Sequence, residues 1–453
     1  MDKCKILVPV GACGAGIHEE AFAAGLAMAP DCIAMDAGST DSGPAYLAKG
    51  VCKYAAPSVA HDLELCISAA VEHHIPLFIG SCGTCGTDSA VDCFAGLAEQ
   101  IIIKGGYHVK VATISSQMDP STLERKWDEG KIHPLPGAPE ISRDTFATCS
   151  NIVDLMGAEP FIEAYRQGAQ FVLAGRTTDT GVIAAFGLMN GMNEGACWHG
   201  AKVVECGPQC SDTSGTCVML EVDREGFTVY PTTPQARCTP YTVSAHLLYE
   251  NTNPFRLTEP GGCFLTEDAV YSQITPQACR VTGSRFQRVT PYTMKLEGAR
   301  LVGYQNISLV GIADRDILQD LPGWTAFLTR HVQEVLDRHG FDRAAYSFHL
   351  RCYGCDAVVP LRAGESYVPR EVGLLLTVTA DTQEMATAVA KEFNPYLLHL
   401  PKNVQSANDL LPTFAFPFSP VDTPRGPIYE FVLHHVVDVS DPLELVQIHL
   451  RQY

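Results

Sequence analysis

The sequence predicts an α/β protein: a mainly parallel sheet with helices on both faces, followed by a smaller α+β region. Three observations predict it. Short apolar runs end in glycine-rich loops, as where residues 5–10 (KILVPV) meet residues 11–16 (GACGAG). Helical stretches follow those loops, so that strand, loop and helix repeat, the pattern of a parallel sheet. Toward the C-terminus the rhythm changes to β-α-β-β-α-β, the ferredoxin-like split pattern. At 453 residues the chain exceeds an average domain. The reading places an α/β domain with glycine-rich substrate loops at 1–225. An α+β domain at 226–453 packs against it.

The elements follow in order. Residues 5–10 form a strand and 18–29 an Ala-rich helix. Residues 32–36 (CIAMD) are the next strand, ending in 36–44 (DAGSTDSGP). A helix at 61–73, a strand at 76–79 and the loop 80–86 (GSCGTCG) come next. A helix at 88–105 and a strand at 109–114 repeat the unit, and so do a helix at 160–167, a strand at 171–174 and the loop 175–179 (GRTTD). Strands at 218–222 and 228–230 flank a turn at 224–226. A short helix near 243–249 interrupts a Pro-rich stretch. The last part reads as strand 300–312, helix 324–338, strands 346–353 and 372–379, helix 383–393 and strand 428–437. In parallel sheets ligands bind at the carboxyl ends of the strands, where sequence order puts the glycine-rich loops.

Composition narrows the function classes. Net charge is −19, from 32 basic and 51 acidic residues, and the basic residues form no cluster. Nucleic acid is therefore not an expected ligand. Charged residues are 18%, below the usual quarter, which favours a homo-oligomer. The 18 cysteines are scattered, and residues 1–10 run directly into a strand pattern rather than a signal peptide. Apolar runs such as 101–103 are too short to span a bilayer. The expectation is a cytoplasmic protein with buried, inert thiols and no membrane partner.

The loops supply the candidate chemistry. Residues 11–16 end a strand and open a helix, so amides around Gly14 suit a substrate phosphate or carboxylate, or else make a plain tight turn. Neither a Walker lysine nor dinucleotide spacing is present, so no nucleotide cofactor is expected. Residues 36–44 carry more donors and acceptors than a turn needs. Asp41 suits a general base or metal ligand, and Ser39 and Thr40 suit a substrate carboxylate. Ser81 and Thr84 lie in a loop whose amides suit an anion nest. Cys82 and Cys85 share zinc-knuckle spacing, as do Cys352 and Cys355, but packing in a tight loop is the preferred reading. Arg176 suits bidentate capture of a carboxylate, or an internal pair with Asp179, itself a catalytic candidate. His246 and Glu250 fall on one helix face as an acid/base pair, with Asn251 beside them to bind substrate. Lys295 with Glu297 is a weaker pair.

These segments, together with MGAEPFIEA (156–164), VVECG (203–207), AHLLYENTNPFRLTEPGG (245–262), YTMKLEGA (292–299), FNPYLLH (393–399) and RGPIYEFVLHHVVDV (425–439), resemble the acyclic terpene utilisation AtuA-like family over nearly the whole chain. The resemblance implies an α/β N-terminal region, a cytoplasmic catabolic setting in carboxylate or acyl-CoA breakdown, and in some members a small second subunit. Relatives tend to have a plain Gly/Ala/Ser-rich loop at 80–86, where this chain has Cys82 and Cys85.

The leading expectation is a lyase, a hydratase or dehydratase acting on a small hydroxy- or dicarboxylate or its CoA ester. Such chemistry needs an acid, a base and an anion site. The alternatives are a hydrolase of an acyl or lactone bond, with Ser39 or Cys82 as nucleophile, and a non-catalytic acyl-CoA-binding subunit. No GxSxG elbow supports the hydrolase. The sequence assigns no metal ligands and leaves a divalent cation open as cofactor.

Overall fold

The computed structural model describes residues 1–453 except 250, 252, 363–366, 401–413 and 416–418. The chain forms two compact units, Met1–Arg300 with Glu430–Tyr453, and Leu301–Tyr429. The boundary expected near 225 falls inside the first unit.

The first unit is built on strands β1 (Lys3–Val8), β2 (Cys32–Asp36), β3 (Leu77–Gly80), β4 (Lys110–Ser115), β5 (Ile132–Pro134), β6 (Asn151–Leu155), β7 (Phe171–Ala174), β8 (Val218–Asp223) and β9 (Gly226–Pro231). A ten-stranded sheet runs β9-β8-β1-β2-β3-β7-β4 through its centre. Strands Cys279–Thr282 and Val270–Gln273 continue it beyond β9, and Gln447–Gln452 lies beyond β4. The contiguous strands β1, β2, β3, β7 and β4 are parallel. Every other pairing in the sheet is antiparallel. The expected mainly parallel sheet is thus corrected to mixed sheets, mostly antiparallel.

The physical reason is the hairpin joining β8 to β9. Asp223 Oδ1 accepts the amides of Glu225 and Gly226 at 2.8 and 3.0 Å, closing a tight turn. Such a turn can only reverse the chain, whereas a parallel neighbour needs a long crossover.

The strands β2 and β7 are buried at every position. A strand covered on both faces carries an unbroken apolar run, because successive side chains alternate between faces. Ile6, Ala34 and Phe78 point to one side, packing with Phe161, Val182 and Trp198. Leu7, Ile33 and Ile79 point to the other, packing with Leu63 and Phe94. Helices Ala56–His73 and Asp88–Gly105 supply the latter face, and Glu159–Arg166, Gly181–Met189 and Glu194–Val204 the former. Truncating a fully buried aromatic such as Phe94 costs about 3–5 kcal/mol.

The second unit contains the latter part of strand Tyr292–Ile312, the strands Tyr346–Tyr353 and Val372–Ala380, and the helices Leu321–Arg338 and Gln383–His399. Val372–Ala380 alternates strictly between buried and half-buried residues, so one face is covered. Trp324, Leu328 and Phe393 pack against that face. Among the described residues no helix is long and apolar enough to cross a membrane.

Candidate functional site

The site lies in the first unit, around the loops that follow β2, β3 and β7. These loops brace one another. Asp36 Oδ2 accepts the Gly38 amide at 2.8 Å, turning the chain at the end of β2. The Cys13 amide donates to the Asp36 carbonyl, and the Ala37 amide to the Gly80 carbonyl, both at 2.9 Å. Gly86 has φ +64°, and a Cβ there would sit 2.2 Å from the Arg176 nitrogen. Glycine at 86 therefore serves the close approach of two loops rather than a ligand.

Arg176 is the hub. Its side chain comes off the end of β7 and is 4% exposed. Nε donates to Glu297 Oε2 at 3.2 Å. Nη1 donates to Ser81 Oγ at 2.9 Å and to the Gly38 carbonyl at 3.3 Å, and lies 3.6 Å from Asp179 Oδ1. Burial works against the guanidinium charge, but Glu297, Asp179 and Asp36 outweigh it and hold the arginine firmly protonated. Burial likewise works to raise the Glu297 carboxyl, and Arg176 and Lys295 overcome it to hold the group below its ordinary value. Lys295 Nζ lies 3.2 Å from Glu297 Oε1, and the Thr40 hydroxyl donates to the same carboxylate at 3.2 Å. Lys295 and Glu297 reach one face of their strand through its two-residue period.

Around this hub lies a cleft of about 270 Å³. Its wall includes Ser39, Thr40 and Asp41 from the loop after β2, and Arg176, Thr178, Asp179 and Thr180 from the loop after β7. Lys202 and Glu205, Asn251, Thr258 and Glu259, and Lys295 with Glu297 complete the polar lining. Two larger hollows, each about 520 Å³, share no lining residue with it.

Glu259 ends the strand Arg256–Glu259, where the Thr180 hydroxyl donates to its Oε1. Its Oε2 is buried without a hydrogen-bond partner among the described residues. Burial pushes this carboxyl up to about 7, against the pull of the Thr180 and Thr178 hydroxyls and the Lys202 charge. Lys202 lies in the last turn of helix Glu194–Val204 and pairs closely with Glu205, three residues on. Burial raises the Glu205 carboxyl well above its ordinary range, and Lys202 only partly offsets this. The lining holds five carboxyl groups (Asp41, Asp179, Glu205, Glu259, Glu297) against three cations (Arg176, Lys202, Lys295). Burial thus favours the protonated form at Glu205 and Glu259, and the cations favour the ionised form.

The sequence-based candidates fall into three groups. Ser39, Thr40, Asp41, Arg176, Asp179, Asn251 and Lys295 line the cleft together. Ser81 and Thr84 are buried behind it. Ser81 Oγ receives Arg176, and the Thr84 hydroxyl donates to the Ala37 carbonyl at 2.9 Å, so both support loops rather than touch a ligand. Gly14 is a correction. The amides of Gly14, Gly16 and Ile17 donate to the buried Asp62 carboxylate at 2.8, 3.2 and 3.0 Å. The anion at that loop is the chain's own aspartate, which takes the amides of Gly14, Gly16 and Ile17.

His246 is also corrected. It ends the helix Pro240–His246, is 5% exposed and does not line the cleft. Burial, with help from Lys202, pushes its imidazole down to about 4, so it is neutral at pH 7 and a poor proton donor. Glu250, its expected partner, lies outside the described residues. Cys82 and Cys85 are fully buried. Burial pushes the Cys82 thiol up, away from the reactive thiolate, so it makes no accessible nucleophile.

Sequence reasoning missed Lys202, Glu205 and Glu259 as site residues. The (i, i+3) spacing of Lys202 and Glu205 was the only local signal. Glu259 carried none, because its partner Thr180 is 79 residues away.

Fold and cleft together define an α/β protein with mixed sheets and a polar cleft rich in acid/base groups at the ends of its parallel strands. The chain belongs to the acyclic terpene utilisation family: the model of the family protein AtuA matches residues 40–419, which hold all of the cleft lining except Ser39. No curated protein and no solved structure matches the chain.

Proposed function

We propose that the protein is a carbon–oxygen lyase, a hydratase or dehydratase of a small hydroxy- or dicarboxylate or its CoA ester. The observation that carries this reading is Glu259, a buried carboxyl group facing the same cleft as Asp41, Lys202 and Lys295. A carboxyl that titrates near neutrality is suited to give a proton at pH 7, and an ionised one to take it.

In the dehydration direction Asp41, exposed in the cleft wall, takes the proton from the carbon next to the substrate carboxylate. The electron pair forms the carbon–carbon double bond, and the carbon–oxygen bond breaks. Glu259 protonates the departing hydroxyl, which leaves as water. Lys202 and Lys295 hold the substrate carboxylate while charge builds on it. Arg176 belongs behind them as a positioning residue, since its charge is already met by carboxylates of the chain. The cytoplasmic catabolic setting is the one the family resemblance implies. The element order of the second unit, with strand order Tyr346–Tyr353, Val372–Ala380, Tyr292–Ile312, Asp422–Val439, supports the ferredoxin-like reading of that part.

The test is to incubate the purified full chain in D₂O with a panel of 2- and 3-hydroxycarboxylates, dicarboxylates and their CoA esters, followed by NMR. The expected result is deuterium at the carbon next to the carboxyl, together with an unsaturated product. Hydrolysis of a CoA ester, with no exchange anywhere in the panel, would overturn it in favour of the hydrolase.

A further inference from the structure

We propose that Glu205, Cys206 and His246 form a transition-metal site, of the kind that takes Zn²⁺, at the edge of the cleft. One ligand atom from each of the three lies within 4.8 Å of the other two. Around a tetrahedral zinc, bond lengths of about 2.0–2.3 Å leave ligand atoms roughly 3.5 Å apart. The remaining difference is about 1 Å, small against the reach of three rotatable side chains.

A second observation points to a ligand independently. His246 Nε2 is buried with no hydrogen-bond partner among the described residues. An orphaned buried nitrogen is unfavourable, and a metal ion supplies the missing partner directly. The donor set also fits. A thiolate, an imidazole and a carboxylate are the ligands of borderline-soft dications, whereas calcium and magnesium take oxygen ligands.

The local fold holds these donors in register. Glu205 and Cys206 follow directly on helix Glu194–Val204. Gly11 packs against Cys206 so closely that a Cβ would come within 2.7 Å of its carbonyl carbon. The loop after β1, read first as an anion site, therefore backs the Cys206 position. Lys202 bonds Glu205 through Oε1, and a carboxylate has a second oxygen, so ammonium and metal can share it. Glu205 lines the cleft. Three protein ligands leave a fourth position for water or substrate, the form that catalytic zinc sites take. The inference does not rest on the lyase reading, because metal binding is measured without turnover.

The experiment uses the full chain, dialysed against chelator and titrated with Co²⁺ alone, then with Zn²⁺ in competition. The expected result is saturable Co²⁺ uptake with a near-ultraviolet thiolate-to-cobalt absorption band, and Zn²⁺ displacing the cobalt. Cys206→Ser removes the band, and His246→Gln weakens binding by about tenfold or more. Cys93→Ser, at an exposed cysteine outside the cluster, keeps both. Should the His246 variant fail to fold, the band in the wild-type chain and its loss in Cys206→Ser still decide the matter. Wild-type protein that takes up no Co²⁺, or a band that survives Cys206→Ser, overturns the proposal.

Discussion

Arg176 and Glu297, 121 residues apart, form a buried ion pair at 3.2 Å that ties the end of β7 to strand Tyr292–Ile312 behind the cleft. The arginine that looks like a substrate clamp in the sequence is largely spent on the protein itself. Its neighbours are the Glu297 and Asp179 carboxylates, the Ser81 hydroxyl and the Gly38 carbonyl.

That geometry sets the first prediction. Removing one partner of a buried pair leaves the other uncompensated, at a cost of about 3–5 kcal/mol. Glu297→Gln lowers unfolding stability by about 3 kcal/mol, since Asp179 keeps part of the compensation. Arg176→Lys, which cannot reproduce the fork, loses a similar amount. Urea denaturation of both variants is the check, and a loss below about 0.5 kcal/mol in each would show the pair to be dispensable.

Asp62 gives the second prediction. Its carboxylate accepts the amides of Gly14, Gly16 and Ile17 together. Asp62→Ala strands these donors and costs about 3 kcal/mol or more. Amide hydrogen exchange at residues 14–17 speeds up with it. Unchanged exchange there would mean the loop is held by other contacts.

How much of this was legible in the sequence depends on distance along the chain. The strands ending at Asp36, Gly80 and Ala174 were readable because each is an apolar run closed by glycine. The loops after β2 and β7 were readable as site material because they carry more hydroxyls and carboxylates than turns require. What escaped was long-range. Asp62 filling the 11–16 loop, Thr180 meeting Glu259 and Glu205 approaching His246 are tertiary pairings, for which spacing carries no signal. Beyond the hairpin at 218–230, the antiparallel flank escaped for a related reason: strands such as Cys279–Thr282 are four residues long and polar at their half-buried positions.

The third prediction is a pH dependence. In the folded chain Glu259 faces Thr178, Thr180, Lys202 and Asp179, and burial lifts its carboxyl from 4.5 to about 7. The folded state therefore favours the protonated form. The stability this contributes is full below about pH 4.5 and is lost as pH rises through 7, by up to about 3 kcal/mol. Burial raises Asp36, Asp154 and Glu205 as well, which pushes in the same direction. Melting temperature should fall between pH 5 and 8 in the wild type. Glu259→Gln, which mimics the protonated acid, should flatten part of that fall and melt higher than wild type at pH 8. Parallel curves for the two proteins would contradict it.

The fourth prediction separates binding from chemistry. Lys295→Gln removes a half-buried cation from the cleft and should raise KM for an anionic substrate about tenfold. Asp41→Asn keeps its shape and, being exposed, its stability to within about 0.5 kcal/mol, while turnover falls by about 100-fold or more. Steady-state kinetics with melting curves on the same samples checks both. An Asp41 variant with wild-type turnover would remove that residue from the chemistry.

In the proposed function one cleft carries acid/base chemistry on a small carboxylate, with Glu259 as its proton donor. The most direct measurement is deuterium exchange into substrate at pH 7, comparing the wild type with Glu259→Gln while recording the melting temperature of each. Water loss should slow by about 100-fold or more in the variant, with thermal stability equal or higher. Water loss and exchange at wild-type rates in a well-folded Glu259→Gln protein would contradict it.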